Sequence, residues 1–442
     1  MLTQMKSLLA SFSLGRSPDA RFDLSAAIGS TVLRQVVSSG LYFVALWVTT
    51  RQLGPHDNGL LVTALLLPQT LYAFLNLGLG PSHVYHMGNG IGSPRFMRRM
   101  NWGLAFGLWA AAAALLALLS NSVIGRYLFG TAKHTALYAS LLFPMMLLAA
   151  WTVSLIQGAR DYATYNKTAL TQPLVFCLGV LALGATGRIS VVSVLACHIL
   201  SQAALWLASE ARVRGYPVPS AGPGLKFGAA VAYGLRTHLS NVITFLNYRV
   251  ALYFVSLLLD PASAGRYALA IQLAEVLWLI ANAASVVVFP ESAANNGTPA
   301  ALHAMVRRVA RSVLRITLAG ALLAAALSGL VIPWVFGQDY AASVLPFVIM
   351  LPGIVTWSYM SVVANSLAGM GCQRVNIQAA LLSLVLNGGG CLLMIPLFGM
   401  RGAALASTVA FTVTAGYTVF LYRRIMAERI AQAGGNKAKE GR

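Results

Sequence analysis

From Trp102 to Leu119 the chain runs for eighteen residues without one charged side chain, and apolar stretches of this kind recur along its whole length. A helix of about 20 apolar residues matches the ~30 Å hydrocarbon core of a bilayer, since each of its backbone N–H and C=O groups is satisfied within the segment. The stretches are continuous rather than alternating, which argues against a membrane β-barrel. Composition agrees. Of 442 residues, 58% are hydrophobic and 10% are charged, whereas a soluble domain carries about 25% charged residues. The sequence predicts an all-α polytopic membrane protein.

Spans are expected at roughly 26–50, 59–80, 102–119, 137–156, 169–185, 189–208, 237–259, 267–289, 316–335, 342–367, 377–398 and 402–422, about twelve in all. The formal net charge of +20 would suggest nucleic acid in a soluble protein. The alternate loops give another explanation. One set, which includes both termini, holds 21 Lys and Arg; the other holds six (Arg51, Arg126, Lys133, Arg188, Arg266 and Arg401). Basic residues accumulate on the cytoplasmic side, so both termini are predicted to be cytoplasmic, and no nucleic-acid partner is needed.

The expected organisation is a cytoplasmic N-terminal segment (1–25), a six-helix bundle (26–210), a Pro/Gly-rich cytoplasmic linker (211–228), a second six-helix bundle (229–422) and a basic tail (423–442) read as disordered. No secretory cleavage site precedes the first span, which reads as an uncleaved insertion signal. The stretch from Glu291 to Val313 reads as a short amphipathic surface helix, with His303, Arg307, Arg308 and Arg311 toward headgroups. Cys177, Cys197, Cys372 and Cys391 show no metal-ligand spacing and read as small apolar packers.

The halves share landmarks at a nearly fixed offset. Leu53-Gly54-Pro55 with Gly59 is echoed by Leu259-Asp260-Pro261 with Gly265. Phe129-Gly130 with Pro144 is echoed by Phe336-Gly337 with Pro352. Gln157-Gly158 leading to Asn166 is echoed by Ala368-Gly369 leading to Asn376. With an even number of spans in each half, the repeats are parallel, and two such bundles around a central cavity suit alternating access.

These residues carry a resemblance. Arg51-Gln52-Leu53-Gly54-Pro55 followed by Asn58-Gly59-Leu60, then Asn76-Leu77-Gly78-Leu79-Gly80, Gln157-Gly158 through Tyr165-Asn166, and Asn247-Tyr248-Arg249 through Gly265-Arg266-Tyr267 to Phe289-Pro290-Glu291 resemble the Wzx-like polysaccharide-biosynthesis flippases. These belong to the multidrug/oligosaccharidyl-lipid/polysaccharide (MOP) superfamily. The resemblance implies a twelve-helix carrier of the bacterial inner membrane that moves an undecaprenyl-diphosphate-linked oligosaccharide outward, as in lipopolysaccharide assembly. Its partners would be the lipid-linked glycan, membrane lipids and a glycan polymerase or other envelope-assembly proteins. Asn76 and Tyr248 stand where members of the family often carry acids, so an acid-based coupling role does not carry over at those positions.

An ionised group at the bilayer centre costs on the order of 3 kcal/mol, so retained charges are candidates for function. Arg249 and Glu275 lie near the middles of adjacent spans at similar depth. They read either as an internal ion pair or as a phosphate-binding cation with a tuning or coupling acid. Arg34 reads as a second phosphate-gripping cation or as a snorkelling one, and Arg236 as a cation at the cavity entrance. Arg315 reads as snorkelling to headgroups. Gln35, Asn76, His198, Asn241, Asn247, Gln272 and Asn282 are candidate polar lining, with interhelical hydrogen bonding as the alternative. No nucleotide-binding loop, nucleophile elbow or metalloprotease motif occurs. The chain reads as a secondary carrier rather than an enzyme, with no cofactor or metal, and with H⁺, Na⁺ or voltage as alternative driving forces. The rival readings are a cation-coupled multidrug exporter of the same superfamily and a membrane enzyme or scaffold of glycan assembly. The charge balance disfavours the first, since Arg outnumbers acid inside the spans.

Overall fold

The computed structural model describes residues 24–119, 133–216, 225–294 and 298–440. The N-terminal segment up to residue 23, Phe129-Gly130 and linker residues 217–224 lie outside them. The described residues form fifteen α-helices and no strand: α1 (Leu24–Leu75), α2 (Leu79–Gly88), α3 (Pro94–Leu119), α4 (Lys133–Ser140), α5 (Leu142–Gly158), α6 (Tyr162–Ala169), α7 (Thr171–Ala185), α8 (Val191–Val213), α9 (Phe227–Leu258), α10 (Pro261–Glu275), α11 (Trp278–Ala294), α12 (Pro299–Phe336), α13 (Val344–Gly369), α14 (Gln373–Phe398) and α15 (Met400–Glu440). Ten helical stretches among the described residues, two of them joining neighbouring α-helices (Leu137–Gly158 and Tyr162–Ala185), are long and apolar enough to cross a membrane. The first predicted span and most of the second fall in α1, where Gly54 (φ 70°, ψ 175°) leaves helical geometry. The predicted span 267–289 falls on α10 and α11 together.

Two sequence expectations are revised. The amphipathic surface helix is the first part of α12, a continuous helix of 38 residues with Pro299 in its first turn. Proline suits that position, because the N–H it lacks would be unsatisfied there in any case. The tail expected to be disordered continues α15 to Glu440. Elsewhere local chemistry ends helices where the sequence suggested. Between α7 and α8, Gly187 takes a positive φ of 65°, and Ser190 with Ser193 closes a capping box. Asp260 caps α10 by accepting the Ser263 amide at 2.9 Å, and Pro261 follows it. That amide bond, ahead of the smaller opposing effect of burial, holds the Asp260 carboxyl below its usual range.

The chain forms two compact units. The first gathers described residues up to Thr49, Pro68 to Leu119 and Lys133 to Thr237; the second gathers Thr50–Leu67 and residues from His238 onward. The core of the first unit packs Phe143, Leu147, Leu148, Trp151 and Leu155 of α5 against Met97 and Ala105 of α3. The core of the second packs Val306 and Ala310 of α12 against Val362, Leu367, Tyr422 and Met426. Outward, Leu322, Leu323, Leu330 and Trp334 of α12 are 61% to 76% exposed, an apolar face of the kind that lipid covers.

The repeated glycines do matched work. In the second unit a Cβ added to Gly59 would run into the Pro261 carbonyl oxygen, and one added to Gly265 into the Pro55 carbonyl oxygen. Each hairpin thus seats its glycine on the other hairpin's proline. Gly158, in the first unit, lets α5 meet α2, with a Cβ falling 3.0 Å from Val84 Cα. Its counterpart Gly369, in the second unit, does the same for α13 against α11, where a Cβ would strike the Phe289 carbonyl.

Candidate functional site

A cluster of polar and aromatic side chains lies inside the second unit, where α9, α10, α11, α13, α14 and α15 converge. Asn247, Tyr248 and Ala251 of α9 face a small cavity that also meets Glu275, Trp278, Asn387, Ser407 and Phe411. Its volume of about 30 Å³ leaves room for one or two waters. Beside it a larger cleft of about 280 Å³ shares Asn247 and Tyr248 and adds Trp357, Asn365, Gln373 and Asn376.

Aromatic rings wall the cavity. Tyr248 lies 5.0 Å from Trp278 and 6.0 Å from Trp357, and Trp357 lies 4.7 Å from Phe411, all within the range of favourable ring contacts. Polar groups thread between them. Ser407 Oγ donates to Asn387 Oδ1 at 3.2 Å, and the Tyr267 hydroxyl stands 3.5 Å from Ser407 Oγ. Asn247 Oδ1, Gln272 Oε1, Trp278 Nε1 and Asn376 Oδ1 are buried with no partner among the described residues. Unmet buried polar atoms are costly, and those that border a cavity call for water or ligand.

Glu275, on the wall of the small cavity, pairs with Arg249 of α9. Arg249 Nη1 lies 3.6 Å from Glu275 Oε1, and the two side chains are 28% and 30% exposed. At that separation the pair attracts through charge but is too long for a hydrogen bond. The guanidinium therefore keeps its N–H donors for another acceptor. Directly after Glu275, α10 stops and α11 starts at Trp278, although 275–278 reads Glu-Val-Leu-Trp, with neither Pro nor Gly. Interrupted helices at membrane depth commonly border binding sites.

The other candidates are placed more plainly. Gln272 lies on α10 one turn before Glu275, with intermediate exposure. Asn241 of α9 and Asn282 of α11 are exposed. Arg236 lies on α9, its side chain outside the described ones. The remaining four belong to the first unit. Arg34 is held: its Nε donates to Asn166 Oδ1 at 3.2 Å, and its guanidinium lies 5.7 Å above the Tyr165 ring. Asn166 also donates to Ser30 Oγ at 3.0 Å. Gln35 is exposed. Asn76 is a structural turn residue, taking the Gly78 amide on its side chain at 2.8 Å and Trp151 Nε1 on its carbonyl at 3.2 Å. His198 packs on Phe176 with ring centroids 4.1 Å apart.

Sequence reasoning missed the aromatic wall, because Trp278, Trp357 and Phe411 are far apart along the chain and each looks like ordinary apolar content. It also missed Glu210 of α8, 2% exposed, which accepts Arg98 Nε at 2.7 Å. Asn247 and Glu275 were legible, since polar residues inside apolar runs stand out.

The all-helical architecture is similar to that of the lipid II flippase MurJ in an inward closed conformation, with 14% identity, 92% of each chain covered and a TM-score of 0.74. It is also similar to an inward-facing multidrug resistance MATE family transporter of the MOP superfamily (14%, 91% of this chain and 99% of that one, TM-score 0.69). A third similar structure is a MOP superfamily transporter from Pyrococcus furiosus (14%, 91% and 96%, TM-score 0.60). No curated protein matches the chain. The fold is that of multi-pass membrane transporters and flippases of the MOP superfamily. Residues 48–345 match the model of a family described as polysaccharide biosynthesis protein, and the chain belongs to that family.

Proposed function

We propose that the chain is a flippase for a lipid-linked oligosaccharide or polysaccharide precursor, carried on undecaprenyl diphosphate across the bacterial inner membrane by alternating access. The observation that carries this reading is Arg249, a cation in a predicted span whose charged partner among the described residues, Glu275, stands 3.6 Å away. A pyrophosphate bears about two negative charges, and drawing it through hydrocarbon is prohibitive. A guanidinium with spare donors offers it charge-assisted, two-pronged hydrogen bonds. Glu275 keeps the guanidinium in place without consuming those donors. The aromatic wall and the side-chain oxygens of Asn247 and Asn376, without partners among the described residues, supply what a sugar asks for, flat apolar faces beside hydrogen-bonding groups.

The experiment is depletion in the native cell followed by analysis of lipid-linked glycans. Accumulation of one such glycan on the cytoplasmic side supports the reading. Normal glycans with a loss of tolerance to cationic dyes would replace it with drug export. Complementation with variants then tests the site. Arg249→Ala should lower flipping at least tenfold, since charge-assisted hydrogen bonds are worth roughly 1.5–3 kcal/mol; Arg249→Lys should retain part of it. Arg249→Met combined with Glu275→Leu removes both charges, which a purely structural pair tolerates well. Full flipping by that double variant would show that the pair only packs.

A further inference from the structure

We propose that the second unit carries a second anion site, separate from the Arg249–Glu275 pair, which takes a phosphate group borne by an amphiphile or free in solution. The site is a pocket of about 370 Å³ formed by one face each of α12, α13 and α15. His303 and Arg307 of α12, Tyr359 of α13, and Tyr422, Arg423 and Met426 of α15 line it. On α12 and α15 the lining residues recur at three- and four-residue spacing, which gathers them on single helix faces. Val306 and Met426 are 0% and 1% exposed and form an apolar floor, whereas Arg307 and Arg423 are exposed at the rim.

Two observations point to an anionic ligand. Among the described residues, neither the Arg307 nor the Arg423 guanidinium has an ion pair or a hydrogen bond. The acid on the same stretch of α15, Glu428, is held by Arg424 Nε at 3.1 Å. Further in, the His303 ring stacks on Tyr422 at 5.7 Å, and its Nδ1 is buried without a partner. Two unspent guanidiniums above an apolar floor suit a group that is charged at one end and greasy at the other.

Depth favours a phosphate. At ~1.5 Å per residue, the 38 residues of α12 run about 57 Å, well beyond the ~30 Å hydrocarbon. Its apolar stretch begins after Arg315, so Arg307 sits about two turns outside it. That end carries the dense Lys/Arg loops and is the one predicted to face the cytoplasm, where anionic headgroups attract basic residues.

The test uses the purified full-length protein in detergent, with native mass spectrometry counting bound lipid. Phosphatidylglycerol should be retained at one copy over phosphatidylcholine. Arg307→Gln with Arg423→Gln should weaken that retention at least tenfold, and Arg307→Lys with Arg423→Lys should keep most of it. Ala427→Trp, which leaves both arginines and fills the pocket, should also abolish it, and this guards against a double variant that merely misfolds. Competition by inorganic phosphate would assign a soluble phosphate ester as the occupant; its failure to compete would assign a headgroup. Equal retention of the two lipids, or unchanged retention in the Gln and Trp variants, overturns the site. None of these readouts depends on which cargo is flipped.

Discussion

His83 shows how much one side chain in this protein is asked to bear. It sits on α2, outside the spans, 0% exposed, with Ser154 Oγ 3.5 Å from its Nδ1 and no partner for Nε2 among the described residues. Burial, then the neighbouring His86, pushes its pKa down to about 3. The unfolded chain would take up that proton near the ordinary value of about 6.5. Between the two values the unfolded state binds more protons, so stability falls as pH drops below about 6.5. His83→Gln should therefore flatten the decline in thermal midpoint on acidification of the detergent-solubilised protein; an unchanged slope would assign the decline to other groups. At the same scale, Arg249 and Arg34 make opposite uses of one chemistry. Arg34 is bonded to Asn166, whereas Arg249 is charge-balanced by Glu275 at a separation too long for a hydrogen bond, which is why the transport prediction rests on the latter.

At the scale of elements, helix boundaries follow backbone chemistry that short sequence patterns record. The α7–α8 turn was legible from Thr186-Gly187-Arg188, and the α9–α10 hairpin from Asp260-Pro261. The interruption after Glu275 was not, because no residue between 275 and 278 favours a break; tertiary packing of Trp278 among Tyr248, Trp357 and Phe411 overrides local propensity. The tail misled in the other direction. Gly434-Gly435 weakens a helix by about 1 kcal/mol per glycine, yet α15 continues through them. Contact at Gly265 gives a measurable consequence. Gly265→Ala should lower the thermal midpoint, because the added methyl meets the Pro55 carbonyl. Gly103→Ala in α3, with nothing within 4 Å, should be neutral or stabilising by up to ~1 kcal/mol. Equal effects of the two would remove the close approach as their cause.

For the whole molecule, apolar runs and loop charges carried most of the information. Both are summed properties that survive errors of several residues in each boundary. The 21-to-six division of Lys and Arg predicts that a fluorescent reporter fused after Arg442 lights up in the cytoplasm, and that a periplasm-only reporter at the same place stays silent; the reverse pattern would invert the topology. The candidate site was legible in its charged members and not in its aromatic ones, since a charge in an apolar run is rare and a tryptophan is not.

The interlocked hairpins also constrain how this chain can change. Because Gly59 rests on Pro261 and Gly265 on Pro55, a bulkier residue on either side cannot be accommodated by adjusting its own half of the repeat. A chimera that exchanges one half for that of a distant homologue must import the matching loop from the same donor, so the duplicated parts are obliged to diverge in step.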